Sequence, residues 1–110
     1  MTIDITTTGR RSGAPRRIEI WFLLVDERIW IAGTPGPRDW MANLAADPHL
    51  VFHLKESVRA DLHAVAHAVT DAADRRRVFE ADVAEWYRGQ CDLEVLVADA
   101  PLVEVRFTSS

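Results

Sequence analysis

Apolar and polar residues alternate along the first third of the chain, a pattern that predicts β-strands. Ile3–Thr8 is short and rich in β-branched residues, and Arg16–Val25 carries an apolar residue at every second position. Trp21 and Leu23 lie on the opposite face of that second segment, so we expect the strand to be covered on both sides. A two-residue acidic connection then leads to Arg28–Ala32, which we expect to pair back as a hairpin. The alternating positions of the second strand are Ile18, Ile20, Phe22 and Leu24.

Helical spacing of apolar residues predicts two helices further along the chain. The first begins with Asp39 as its N-cap and ends at Asp47–Pro48. The second covers Asp71–Tyr87 and is stopped by Gly89. The segment Asp92–Asp99 fits either a helical turn or a strand.

Three more segments have the character of strands, namely His49–Lys55, Arg59–Thr70 and Pro101–Thr108. The resulting order is β-β-β-α-β-β-α-β, with hairpins in place of strand-helix-strand crossovers. This order predicts an α+β protein that is mainly β, with an antiparallel sheet closed into a small barrel and one or two helices packed on it.

The bulk composition excludes several classes of protein. The 110 residues are enough for a single domain with one core that needs no disulfide, and Cys91 is the only cysteine. Met1–Thr8 lacks the pattern of a signal peptide, and no apolar stretch approaches the roughly 20 residues of a membrane helix. The net charge of −4 argues against general nucleic-acid binding. We therefore expect a soluble, cytoplasmic protein with no membrane span.

A cationic turn stands out against this negative background. Thr6–Arg17 contains four arginines, two glycines and a proline. Arg10, Arg11 and Ser12 stand next to the free backbone N–H groups of a turn at Gly13, and these donors suit a phosphate or carboxylate. Arg16 projects toward the same space. The alternative is that these arginines are solvated charges at the end of a hairpin.

A second run of turn residues, Gly33–Pro37, follows the hairpin strand. Gly36 permits the close approach of a ligand to the backbone. Asp39 and Trp40 then open a helix whose N-terminus favours negative charge. The indole of Trp40 either lies against a planar ring or packs in the core.

Three segments together resemble the deazaflavin-dependent nitroreductase family, a branch of the split β-barrel flavin-binding oxidoreductases. They are TTTGRRSGAPRRIEIWF at Thr6–Phe22, RIWIAGTPG at Arg28–Gly36 and DWMANLAADPHLVFHLK at Asp39–Lys55. The resemblance covers about half of the chain. The third segment contains W-x-x-N-L-x-x-x-P at Trp40, Asn43, Leu44 and Pro48.

The resemblance implies a fold, a cofactor and a function. Residues 1–110 would form one deazaflavin-binding domain, a six-stranded antiparallel split β-barrel that is commonly a homodimer. The cofactor would be coenzyme F420, or FMN as in related branches. The protein would transfer hydride from reduced F420 to a small organic acceptor such as a quinone, an enone or a nitro compound. An FMN-dependent oxidoreductase and a non-catalytic cofactor-binding protein stay open as alternatives.

The resemblance also assigns cofactor-binding residues. Arg10, Arg11, Ser12 and Gly13 would meet the phosphate and the acidic tail of F420, with Arg16 beside them. Thr34 and Gly36 would line the ring and ribityl portion, and Asp39 and Trp40 would border the cofactor. No catalytic side chain is required, because the cofactor itself carries the hydride. The proposed walls of the acceptor pocket are Trp21, Trp30 and Trp40.

The remaining polar patterns predict structural roles. His49 and His53, like His63 and His67, are four residues apart, but four residues on a strand span about 13 Å, too far for one metal ion. No metal site is expected. The charged residues of Asp74–Glu85 fit a solvated helix face with ion pairs four residues apart.

Overall fold

Six antiparallel strands close into a barrel in the computed structural model, which describes residues 2–56 and 58–108. The spatial order is β1-β2-β3-β6-β5-β4, and pairing between β1 and β4 completes the closure. The predicted mainly-β antiparallel barrel is therefore confirmed. The strands are β1 (Thr2–Thr8), β2 (Pro15–Val25), β3 (Arg28–Ala32), β4 (His49–Lys55), β5 (Arg59–Ala68) and β6 (Leu102–Phe107).

Helices connect β3 to β4 and β5 to β6. The first connection is a single helix, and the second is a layer of three helices with a short 3₁₀ turn. The helical elements are α1 (Asp39–Ala46), α2 (Ala72–Glu80), the 3₁₀ turn Asp82–Ala84, α3 (Glu85–Gln90) and α4 (Leu93–Asp99).

The single helix predicted over Asp71–Tyr87 is wrong, because the chain breaks at Ala81, which has an extended backbone. A continuous helix would place Val83 and Trp86 on the same face as buried Phe79. The break rotates the residues that follow it, so Val83 and Trp86 are exposed. Ala84 and Tyr87 are buried in the core in their place.

The ends of the helices also differ from the prediction. Arg38 is the N-cap of α1, and Asp39 is the first helical residue, where its charge still suits the helix dipole. Gly89 does not stop a helix but lies inside α3, near its end, where a glycine costs about 1 kcal/mol. The ambiguous segment Asp92–Asp99 forms α4, a helix and not a strand.

Two apolar cores lie on the two sides of the β2–β3–β6 sheet. One fills the barrel, and the other lies between the outer face of these strands and the layer of α2, α3 and α4. The prediction that β2 is covered on both sides is correct in part: Leu23 and Val25 are buried in the second core, and Ile18, Ile20 and Phe22 pack against the barrel core on the opposite face. Trp21 and Leu24 remain exposed. The barrel core centres on Ile3, Ile5, Ile31, Leu50, Phe52 and Val103, and the second core on Trp30, Val78, Phe79, Leu96 and Leu102.

One edge of β2 is only partly paired. On one side β2 pairs with β1 over Pro15–Trp21, and on the other it pairs with β3 over Phe22–Val25. In the described part of the chain, Pro15–Trp21 therefore has no strand partner on the β3 side. Because β-strand backbone groups alternate in direction, the N–H and C=O groups of Arg17 and Glu19 point toward this open edge. The open edge is where the barrel splits.

Candidate cofactor-binding cleft

A cavity of about 410 Å³ lies beside the arginine turn that joins β1 to β2. The structure brings most of the predicted cationic residues together here, and it adds the start of α1 as the opposite wall. The lining residues are Thr7, Gly9, Arg10, Arg11, Ser12, Arg16, Ile18, Asp39, Trp40 and Asn43.

The turn is held in shape by its own backbone. The N–H of Gly9 donates to the carbonyl of Ala14, and the N–H of Gly13 donates to the carbonyl of Gly9, both at 2.8 Å. Gly13 has a φ of +71°, a conformation that disfavours other residues, and its place in the turn is conformational because it does not line the cavity. Ser12 Oγ accepts from the N–H of Ala14 at 3.2 Å, which leaves its own hydroxyl hydrogen to donate elsewhere.

Asn43, which was not among the predicted site residues, connects the turn to α1. The buried amide oxygen of Asn43 accepts from the backbone N–H of Arg10 at 3.2 Å and from its Nη1 at 3.0 Å. The amide nitrogen of Asn43 donates to Thr7 Oγ1 at 3.3 Å. Asn43 therefore fixes the orientation of Arg10. The signal in the sequence was an asparagine on the buried face of an otherwise apolar helix.

The charged side chains around the cavity differ in how available they are to an anion. Arg11 and Arg16 are exposed, whereas the guanidinium of Arg10 also lies 3.4 Å from the carboxylate of Asp39. The side chain of Asp39 is 92% exposed and carries a negative charge at the mouth of the cavity. An anion bound here would compete with Asp39 for Arg10, so Arg11 and Arg16 are the better cationic donors.

A second, more apolar cavity of about 300 Å³ lies at the other end of the open edge of β2. Trp21 and Trp86 meet there edge to face, with ring centroids 5.3 Å apart, and both are nearly half exposed. Tyr87 lies behind them, where its hydroxyl donates to the carbonyl of Ala32 at 3.3 Å and burial raises the pKa of its phenol. Two exposed tryptophans in contact form a surface suited to a planar ring. The lining residues are Glu19, Ile20, Trp21, Ala32, Gly33, Thr34, Arg38, Trp86 and Tyr87.

Arg38 shapes the loop between the two cavities. Its Nη2 donates to Thr34 Oγ1 at 2.7 Å and to the carbonyl of Thr34 at 3.0 Å, and its Nη1 donates to the carbonyl of Pro37 at 3.1 Å. Thr34 lines the aromatic cavity, whereas Gly36 faces a third cavity on the far side of the loop. Neither residue lines the cavity at the arginine turn.

Two of the three tryptophans expected to wall the acceptor pocket are mostly buried. Trp30 is 2% exposed and lies in the second core, where its indole N–H donates to the carbonyl of Val25 at 3.0 Å. Trp40 is 8% exposed and packs in the barrel core, and it also lines the arginine cavity. Trp21 lines the aromatic cavity together with Trp86, which was not among the predicted walls of the acceptor pocket.

The arginine cavity and the aromatic cavity are neighbours along β2, and we refer to the two together as the cleft. Ile18 of β2 lines the first and Ile20 lines the second, two residues along the same strand. On the facing wall, Asp39 lines the first cavity and its neighbour Arg38 lines the second. The cleft therefore runs along the open edge of β2, cationic at one end and aromatic at the other.

The four histidines lie on β4 and β5, as predicted, and one of them has a clear structural role. His53 is buried and bridges Thr6 Oγ1 at 2.7 Å and the carboxylate of Asp61 at 2.6 Å. This bond lowers the pKa of Asp61.

The family of the chain follows from its sequence as a whole. The model of the F420H(2)-dependent quinone reductase family matches residues 2–94, and the chain belongs to this family. Reduced F420 is the reductant of that family, so the expectation of an F420-dependent oxidoreductase with a small-molecule acceptor is confirmed.

Solved structures of other proteins share the fold at low sequence identity. A conserved hypothetical protein from Mycobacterium tuberculosis is 18% identical, with a TM-score of 0.70, over 98% of this chain and 73% of that one. An FAD-binding protein from Mesorhizobium loti is 11% identical, with a TM-score of 0.70, over 98% and 81% of the two chains. A protein of the pyridoxinephosphate oxidase family from Clostridium acetobutylicum is 17% identical, with a TM-score of 0.69, over 98% and 74%. The split-barrel fold is confirmed. Among the described residues, no helix has the length and apolar character needed to cross a membrane.

Proposed function

We propose that the cleft along the open edge of β2 binds reduced F420, and that the arginine turn holds its phosphate and acidic tail. The donors fit an elongated anionic group. Arg11 and Arg16 supply exposed guanidinium groups that pair with no carboxylate among the described residues, and the Ser12 hydroxyl has a hydrogen available for an anionic oxygen. Arg10 is held in place by Asn43. The observation that carries this proposal is that three arginines from two elements line one cavity at the end of a longer cleft.

The ring of the cofactor would lie toward Thr34 and the aromatic cavity. Bound there, F420 supplies a hydride. The protein contributes orientation, because Arg38 holds the loop of Thr34 in one shape and the exposed N–H and C=O groups of Arg17 and Glu19 can pair with polar ring atoms. Trp21 and Trp86 would stack against a planar quinone and exclude water from it. Gly36 and Gly13 would act through the backbone conformations of their loops.

A steady-state assay tests this function. Purified protein should oxidise reduced F420 in the presence of a short-chain benzoquinone or naphthoquinone, with the rate followed through the F420 spectrum. Trp86→Ala should raise KM for the quinone several-fold while the affinity for F420 stays unchanged. The matched control is Val83→Ala, because Val83 is similarly exposed just before α3 but does not line the cavity. Tight binding of F420 with no quinone reduction would favour the non-catalytic alternative.

Three expectations from the sequence stay predictions. We propose that residues 1–110 act as one deazaflavin-binding domain, that the protein is a homodimer, and that it works in the cytoplasm. Support for the dimer comes from Leu62 and Phe107, large apolar side chains that are 37% and 43% exposed on neighbouring strands. Light scattering after size-exclusion chromatography measures the oligomeric state, and a monomer at micromolar concentration would contradict the dimer.

A further inference from the structure

A third cavity, of about 800 Å³, has no role in the cleft described above. It lies between α1 on one side and α2 and α4 on the other. Small apolar side chains from four elements form its walls, and they leave a space within the size range of small-molecule sites. The alanines that line it are Ala42, Ala45, Ala68, Ala72, Ala98 and Ala100.

Both arginines that line this cavity, Arg38 and Arg75, are already engaged by the protein. Nε of Arg75 donates to the carbonyl of Val97 at 2.5 Å and its Nη1 to that of Val69 at 2.8 Å. Its Nη2 donates to the carbonyls of Leu96 and Ala100. Four bonds to backbone carbonyls leave little of this guanidinium for a ligand. Because the two arginines are engaged and the carboxylate of Asp99 also lines the cavity, the alanine-rich walls suit an apolar chain better than an anion.

One side of α1 faces this cavity. Trp40, Asn43 and Leu44 point into the body of the protein and are buried. Met41 and Ala42 are partly exposed and, with exposed Ala45, form the side of the helix that faces the cavity. An apolar helix face beside an apolar cavity gains stability when an apolar group covers it.

The position of this cavity identifies the ligand that would cover it. Arg38 lines both this cavity and the aromatic cavity, and the loop Gly33–Pro37 separates the two. Gly33 and Thr34 face the aromatic cavity, whereas Gly36 and Pro37 face the alanine-lined cavity. A ligand with a planar head and an apolar chain would occupy both by passing Arg38.

We propose that the alanine-lined cavity binds the alkyl or isoprenoid chain of the quinone acceptor whose ring occupies the aromatic cavity. This inference rests on the proposed function for the position of the ring. The chain-binding residues are Met41, Ala42 and Ala45 on α1, opposite Ala72 on α2 and Ala98 on α4. The protein then selects quinones that carry a chain over those that do not.

The test compares binding of two benzoquinones that differ only in a ten-carbon chain. Equilibrium dialysis measures the dissociation constant of each for the F420-loaded protein and for the protein alone. Each buried methylene is worth about fourfold in affinity, so partial burial of the chain should give a preference of about 30-fold or more. Ala45→Phe fills the cavity from α1 and should reduce the preference to about threefold or less, without changing binding of the chain-free quinone. Ala46→Phe, on the same helix but outside the cavity, should keep the full preference.

A second pair of variants approaches the cavity from the opposite wall. Ala72→Phe should also remove the chain preference, and Ala73→Phe, its exposed neighbour outside the cavity, should not. An unchanged preference in both Ala45→Phe and Ala72→Phe overturns the proposal. The proposal is also overturned if these two variants change the oligomeric state of the protein but keep the preference for the quinone with the alkyl chain. That result would mean that a second protein molecule covers the cavity. Reduction of the chain-free quinone by reduced F420 is measured separately, so its absence would contradict the proposed function while the binding comparison still tests the cavity.

Discussion

Of the three runs of consecutive arginines in this protein, Arg10–Arg11 and Arg75–Arg77 occupy opposite environments. Arg75 of α2 donates to three carbonyls at the end of α4 and to the carbonyl of Val69, and burial lowers its pKa. The other two arginines of that run pair with carboxylates. On the β1–β2 turn, Arg10 is anchored by Asn43, whereas Arg11 lines an open cavity.

The comparison shows that the availability of an arginine depends on the acceptors that the fold places around it. On α2, Arg76 lies 2.8 Å from Glu94, and Arg77 lies 2.8 Å from Asp26 in the β2–β3 hairpin. Glu94 and Asp26 are distant in sequence from the arginines they pair with, so the local sequence pattern does not distinguish the two arginine runs. The predicted solvated helix face is correct in part, because the pair Arg76–Glu80 is present at 3.7 Å, but Arg75 is structural.

The largest expected effect is on stability, from the α2 run. Arg75→Leu removes the donor to four carbonyls and should lower the free energy of unfolding by about 3 kcal/mol, measured by urea denaturation. Arg76→Leu breaks only exposed ion pairs and should cost less than about 1 kcal/mol. Equal losses in the two variants would contradict the distinction between them.

The next effect is on binding, from the turn. Arg11→Ala combined with Arg16→Ala removes two charge-assisted donors and should weaken F420 binding about 100-fold, measured by fluorescence titration. The control is Arg76→Ala combined with Arg77→Ala, which changes net charge equally and should alter the affinity by less than about threefold. Similar losses in both double variants would mean that general electrostatic attraction, and not the site, binds the cofactor.

A smaller effect should come from the anchor of Arg10. Asn43→Leu keeps the size of the side chain but removes the acceptor for Arg10, so F420 affinity should fall about tenfold. Thr7→Val breaks only the bond between Asn43 and Thr7, and it should leave the affinity within about threefold. If both variants bind F420 with the affinity of the wild type, the hydrogen bonds between Arg10 and Asn43 do not contribute to cofactor binding.

The smallest effect concerns pH. The hydrogen bond and charge of Arg76 lower the pKa of Glu94 below its ordinary value of about 4.3. The ion pair therefore stabilises the folded state above that ordinary value and loses its effect as the pH falls through the lowered pKa. Glu94→Gln should flatten this part of the stability curve in acid denaturation, and an unchanged curve would show that the pair contributes nothing.

The strands and the arginine turn were predictable because their signals are local. Alternating apolar residues such as Ile18 and Ile20 define a strand wherever it lies, and glycines mark the turn. The inward turn of Arg75 and the role of Asn43 were not predictable, because each depends on partners distant in sequence. The break at Ala81 was missed because the spacing of Phe79, Val83 and Trp86 also fits a continuous helix. At this break, Arg88 donates to the carbonyls of Phe79 and Ala81 at 2.7 Å and stabilises the end of α2.

A crystal structure of the protein with F420 bound is the decisive test of the cofactor site. The phosphate should lie within hydrogen-bond distance of Arg11 and Arg16, with the ring along the open edge of β2 toward Thr34 and Trp21. A phosphate bound at Arg76 and Arg77, or a ring that lies away from this edge, would contradict this placement.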